Sequence, residues 1–140
     1  VAEKIRTAEV SMDAPRISAI PEVRSFLLDL QKKIARENNI IMDGRDIGTV
    51  ILPNADLKIF LTASPEERAE RRYKELKQAG NDTVTYEGIL EDIKQRDYND
   101  MHRETAPLKK ADDAVILDTT GMTVEESVDR LLDMVKNLGE

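Results

Sequence analysis

Cysteine is absent from this sequence, and only six glycines and one histidine occur among its 140 residues. Without cysteine there is no disulfide framework, no thiolate nucleophile and no cysteine-ligated metal. None of the glycines falls in a G-x-x-x-x-G-K-[ST] pattern, so these residues hold no glycine-rich loop of the kind that cradles a triphosphate. No apolar run approaches the roughly 20 residues of a membrane-spanning helix, and no charged segment followed by an apolar one opens the chain as a signal peptide would. These absences predict a cytoplasmic protein with no membrane partner. Basic charge is also scarce: 21 Lys and Arg stand against 28 Asp and Glu, a net charge of -7. A nucleic-acid groove needs a basic face, so a polymer partner is disfavoured and any phosphate site must be local. The lone histidine, His102, lies in a charged helical stretch and reads as a solvated surface residue rather than a base or ligand.

What is present is an ordinary globular balance, 40% hydrophobic and 35% charged, long enough for one domain with a sizeable core. Val23, Phe26, Leu27, Leu30 and Ile34 recur at helical spacing and predict a helix over residues 21–36. Residues 40–42 (Ile-Ile-Met) read as a short buried strand that runs into the loop Asp43-Gly44-Arg45-Asp46. Residues 57–62 read as a second strand, and Ser64-Pro65 opens a charged helix over 66–78 that ends before Gly80. Tyr86, Ile89, Leu90 and Ile93 mark a further helix running through Arg103 and stopped before Pro107. Residues 114–117 form a third strand, and Val124, Val128, Leu131, Leu132 and Val135 give the stripe of a terminal helix. Short apolar strands alternating with helices predict an α/β fold with a parallel sheet covered by helices, and ligands in such folds sit at the carboxyl ends of strands.

Three groups can carry chemistry. The loop from Asp43 to Thr49 holds two carboxylates and one guanidinium within four residues, suited to a metal-bound water, a phosphate and a polar base edge, or else to a tight self-paired turn. Arg96, Asp100 and Arg103 are spaced i, i+4, i+7, which places two guanidinium forks and a carboxylate on one helical face; a solvated ion-pair helix is the plainer reading. Arg68, Arg71 and Arg72, with Lys74 and Lys77, alternate with four glutamates and fit either a phosphate-binding surface or an ordinary charged one. Arginine clusters near strand ends favour phosphoryl transfer, which depends on positioning and on neutralising charge.

The stretches Ile5-Arg6-Thr7, Ile20-Pro21-Glu22-Val23-Arg24, Asp43-Gly44-Arg45-Asp46-Ile47-Gly48-Thr49, Lys58-Ile59-Phe60-Leu61-Thr62-Ala63-Ser64, Glu67-Arg68-Ala69-Glu70-Arg71-Arg72, Arg96-Asp97 and Ala106-Pro107-Leu108 resemble, in this order, bacterial cytidylate kinases. The resemblance implies a P-loop fold of the nucleoside monophosphate kinase type and transfer of a phosphoryl group from ATP, with Mg²⁺, to CMP or dCMP. It implies that Arg24 and Asp46 read the cytosine, that Arg45 and Arg103 hold the acceptor phosphate, and that Arg96 and Asp100 lie near the ribose and phosphate. Asp43 would orient a magnesium-bound water, and Arg71 and Arg72, with Arg68 behind them, would belong to a mobile lid over ATP whose arginines stabilise the migrating phosphoryl group, which makes these three and Arg103 the catalytic residues of the resemblance. In this reading residues 1–140 are one partial domain: 1–39 end the CMP-binding region, 40–64 and 111–140 form the core, and 65–110 form the lid and acceptor helix. Two departures accompany it. Pro15 stands where the family places a base-contacting serine, and the P-loop with its central strand is missing. The sheet edges left by that strand are expected to close up, recruit another segment or copy, or stay partly unfolded. A non-catalytic nucleotide-binding or scaffold module, and a P-loop kinase with another small acceptor, are the alternatives.

Overall fold

A computed structural model describes Ile17 and residues 20–104 and 106–139. Pro15 and the stretch Ile5-Arg6-Thr7 lie outside the described residues. The chain divides into two compact units, Val1–Asp43 and Gly44–Glu140. No helix among the described residues is long and apolar enough to cross a membrane.

In the first unit, helix α1 spans Pro21–Glu37, with Pro21 at its first position, where a missing N–H costs nothing. Asn38 closes it, its side-chain amide donating to the Ile34 carbonyl at 3.0 Å. The chain then runs without strand pairing through residues 40–42, and Ile41 is 99% exposed. The strand expected there does not form: an apolar triplet becomes a strand only when a neighbour takes up its N–H and C=O groups, and none of the described residues does so.

The second unit carries the sheet. Strands β1, Ile59–Thr62, and β2, Val115–Asp118, pair in parallel with Ile59 opposite Val115 and Thr62 opposite Asp118. Parallel strands need a long crossover; here it contains helices α2, Pro65–Gln78, and α3, Tyr86–His102, which pack on each other. The Ser64 hydroxyl accepts from the Glu67 amide at 3.1 Å to cap α2, and the Thr85 hydroxyl accepts from the Gly88 amide at 3.2 Å to cap α3. The end of α2 is a Schellman turn: the Asn81 amide donates to the Leu76 carbonyl at 3.0 Å while Gly80 sits at φ 82, a left-handed conformation that favours glycine. Helix α4, Val124–Lys136, starts with a capping box in which Thr123 and Glu126 satisfy each other's amides. A short 3₁₀ turn, Asn137–Gly139, follows.

The core is thinner than the length suggests. Among the described residues Ile51, Ala63, Ala69 and Leu117 are the buried apolar ones, Ala69 completely, and no large side chain is fully buried. Two four-residue strands offer too little face to cover the flanking apolar positions, so Leu61, Ile116 and the α4 residues Val128, Leu132 and Val135 stay exposed. Three of the buried positions follow the carboxyl ends of the two strands. Ala63 follows β1, Ala69 lies on the first turns of α2, and Thr119 bonds to the Thr62 carbonyl through both its amide, 2.8 Å, and its hydroxyl, 3.1 Å.

Candidate functional site

Asp46 stands at the head of a five-residue π turn, Ile47–Ile51. Its carbonyl accepts from the amides of Val50 and Ile51, at 2.9 and 3.2 Å, and from the Thr49 hydroxyl at 3.5 Å. Three bonds converging on one peptide fix the backbone from which the Asp46 side chain springs, and π turns concentrate at functional sites. The β-branched run after Gly48 carries no signal for such a turn, so the sequence reads only as a loop. Gly48 has a packing reason: a Cβ there would lie 3.3 Å from Lys58 Cδ, so its missing side chain lets the turn rest on the lysine stem. The Lys58 side chain is 8% exposed, and its ammonium donates to both Asp113 oxygens, 2.8 and 2.6 Å, and to the Pro53 carbonyl. Hydrogen bonding from Lys58 holds the Asp113 carboxyl below its ordinary range. This clamp ties the π-turn segment to the entry of β2, and its partners are too far apart in sequence to be paired by spacing.

Arg45 follows Gly44 and donates through Nε to the Asp100 carboxylate on α3, joining two of the groups that the sequence singled out. Arg96, one turn earlier, is exposed. Arg103 departs from the expected face. Helix α3 ends at His102, and Arg103 is its C-cap with an extended backbone, φ -64 and ψ 143. Helical i, i+7 geometry therefore holds for Arg96 and Asp100 but not for Arg103, which turns to donate through Nε to the Ala106 carbonyl at 2.6 Å. Ala106 adopts φ 48, a left-handed conformation that costs energy for alanine. The Leu108 amide donates to the Asp100 carbonyl at 2.8 Å, so the chain beyond α3 folds back along its end. His102 is exposed, its Nδ1 lies 2.7 Å from the Tyr98 carbonyl, and its ring stacks on Tyr98 at 4.1 Å. Asp43 is exposed and ends the first unit, in which Arg24 is half-buried on α1; Arg45, Asp46, Arg96, Asp100 and Arg103 belong to the second.

The three α2 arginines have three different environments. Arg68 donates through Nε to the Ala63 carbonyl at 3.1 Å and grips Asp97 on α3 with both terminal nitrogens, at 3.0 and 2.5 Å. Arg71 donates to Glu67 at 3.0 Å and to the carbonyls of Thr119 and Met122, at 2.7 and 3.1 Å, beyond β2. Arg72 pairs with Glu75 at 2.6 Å on the exposed side. The Arg68 hydrogen bonds hold the Asp97 carboxyl below its ordinary range, outweighing burial, and the charges of Arg45 and Arg96 act in the same direction. A carboxyl whose folded pKa is depressed adds stability above its unfolded pKa and loses it as pH falls through the folded value. Asp97→Asn should therefore destabilise the 140-residue chain at pH 7 by roughly 1 kcal/mol, the scale of a partly exposed pair, and so lower its thermal midpoint. The gap from wild type should vanish below the usual carboxylate range, as followed by circular dichroism melts from pH 7 to pH 2.5. A gap independent of pH would remove the ion-pair explanation.

The sequence matches the model of the family described as Cytidylate kinase over residues 1–137. The chain belongs to the cytidylate kinase family. It is 54% identical over 134 residues to a cytidylate kinase of Caldicellulosiruptor bescii, covering 96% of this chain and 59% of that protein. A cytidylate kinase of Carboxydothermus hydrogenoformans is 50% identical over 135 residues, covering 96% of this chain and 60% of its own length. One from Streptococcus pneumoniae is 54% identical over 131 residues, covering 94% and 58%. The chain thus spans about three fifths of the length of the curated relatives it matches. Membership in the cytidylate kinase family implies the P-loop NTPase type of α/β fold, and the parallel β1–β2 pair with flanking helices agrees with it.

Proposed function

We propose that this chain carries the acceptor site and lid of an enzyme that transfers the γ-phosphoryl group of ATP to CMP or dCMP, giving CDP or dCDP and ADP. The observation that carries the reading is the Arg45–Asp100 contact, which brings the loop after Asp43 to the helix bearing Arg96 in a chain of the cytidylate kinase family. A guanidinium already paired with a carboxylate is in an environment fit for a phosphate, because both ligands are planar or tetrahedral oxyanions taken up by the same N–H fork.

In the proposed mechanism the acceptor phosphate of CMP is held by Arg45 and Arg103, whose present partners are an aspartate and a backbone carbonyl. Asp100 turns to the sugar hydroxyls once Arg45 takes the phosphate, Arg96 adds positive charge, and Arg24 and Asp46 read the base. The acceptor oxygen attacks directly, so no nucleophilic side chain is needed. Arg71 and Arg72 on α2 serve the lid, exchanging the Thr119, Met122 and Glu75 contacts for the migrating phosphoryl group. Among the described residues no group of three or more carboxylates or imidazoles is placed to hold a metal ion. Mg²⁺ is ordinarily held by one or two carboxylates together with substrate phosphates, so the exposed Asp43 fits the ion as a single carboxylate acting through water. Mg²⁺ would supply charge neutralisation between the phosphates. A cytoplasmic enzyme using free nucleotides suits the acidic surface.

Calorimetric titration of the 140-residue chain tests the reading: CMP should bind with an affinity of roughly 1 μM to 1 mM. Binding of neither CMP nor ATP would favour the scaffold alternative. For an active form, the chain joined to the part of the Caldicellulosiruptor bescii enzyme that it does not span, Asp46→Ala should relax discrimination. The ratio of kcat/KM for CMP over UMP or AMP should fall about tenfold or more, because a polar group that reads a base edge acts through the unpaired state it imposes on the wrong base. Equal losses on all acceptors would contradict base reading by Asp46.

A further inference from the structure

Asp97 has no role in the scheme above, yet both of its carboxylate oxygens are engaged by one guanidinium. It lies on α3 one turn before Asp100, so the helix presents two carboxylates three residues apart. Asp100 takes Arg45, on the loop; Asp97 takes Arg68, on α2. The Arg68 fork is thereby occupied on one edge by both Asp97 oxygens and at Nε by the Ala63 carbonyl, immediately after β1. Arg68 thus joins three elements, the end of β1, helix α2 and the middle of α3, beside the completely buried Ala69. An edge-on bidentate pair is directional as well as attractive, since its two parallel N–H···O bonds fix the plane and angle of the guanidinium. A guanidinium held in this way has no bidentate edge left to offer a phosphate.

We propose that Asp97 is a positioning residue for phosphoryl transfer: by holding Arg68 across the α2–α3 interface it sets the lid helix at the angle from which Arg71 and Arg72 reach the transferred group. Acceptor binding belongs to Asp100, Arg45 and Arg103, and is separate from it. Removing Asp97 therefore leaves the acceptor contacts in place while α2 rocks on α3, which lowers kcat and spares the affinity for CMP.

The inference rests on the kinase reading, and its test separates the two. In the active joined enzyme, Asp97→Asn keeps the size and one acceptor oxygen but removes the charge and the paired geometry. Its kcat should fall about tenfold or more, as expected for a misplaced catalytic element, while KM for CMP and the calorimetric Kd for CMP stay within about threefold. The double variant should show the same kcat as Arg68→Gln alone to within about threefold, because a residue that acts only through Arg68 adds nothing to its loss. A further large loss in the double variant beyond that of Arg68→Gln, marking a role of Asp97 outside Arg68, would overturn the proposal. So would an unchanged kcat in Asp97→Asn, or loss of CMP binding in that variant, which a general loss of structure would also produce. If the unsubstituted joined enzyme forms no CDP, the kinase reading itself fails and takes the inference with it.

Discussion

Incubated alone with CMP, ATP and Mg²⁺, the 140-residue chain should form no CDP above background, and joining it to the part of the Caldicellulosiruptor bescii enzyme that it does not span should restore the reaction. The reason is local. Transfer of the γ-phosphoryl group depends on a ring of backbone amides and a lysine around the β- and γ-phosphates. Removing one preorganised donor from such a site already costs about a hundredfold to a thousandfold. No stretch of these 140 residues has the glycine and lysine spacing of that cradle. Lys58, whose side chain is 8% exposed, is no substitute, because its ammonium is committed to Asp113 and Pro53. Mass-spectrometric detection of CDP over time measures the outcome. Robust formation by the chain alone, with contaminating kinase excluded, would sink the prediction.

Within the joined enzyme, Arg45→Ala and Arg103→Ala should each lower kcat/KM for CMP about ten- to a hundredfold, since each removes a charge-assisted contact worth roughly 1.5–3 kcal/mol. Their stability costs should differ. Arg45→Ala leaves the Asp100 carboxylate, 18% exposed, without its guanidinium, whereas Arg103→Ala frees only a carbonyl of a surface turn. Removing one partner of a partly buried ion pair costs more than removing a donor from a group that water can reach. Arg45→Ala should therefore melt at a lower temperature than Arg103→Ala while losing a similar amount of activity. Retention of full kcat/KM by both variants would remove the two arginines from the acceptor site.

The features that the sequence made legible are those written in neighbouring residues. Ser64-Pro65 and Gly80 bracket α2 through a cap and a left-handed turn, and the structure places the helix at Pro65–Gln78. The helical stripe from Val23 to Ile34 and the two apolar runs that pair as β1 and β2 obey the same local logic. Residues 40–42 look identical in kind to those strands, but their state depends on a neighbour, which no local pattern encodes. Arg103 was misplaced for a subtler reason: one residue beyond the last helical turn, the backbone extends and the i, i+7 rule ceases to apply. The pairs Arg68–Asp97, Arg45–Asp100 and Lys58–Asp113 span 29, 55 and 55 residues, so a single sequence shows the charges without showing who meets whom. The chemistry proposed for the loop after Asp43 comes from the resemblance alone, because two carboxylates and an arginine also describe an ordinary turn.

The stack of Tyr98 on His102 makes helix α3 its own optical reporter. The chain has no tryptophan and only three tyrosines, so emission excited near 280 nm comes from phenol rings alone. One of the three, Tyr98, directly follows Asp97 and lies two residues before Asp100, with an imidazole 4.1 Å away as a local quencher. A rearrangement of α3 when nucleotide arrives would change that separation and hence the quantum yield, giving a label-free signal from the middle of the proposed acceptor helix without any engineered fluorophore.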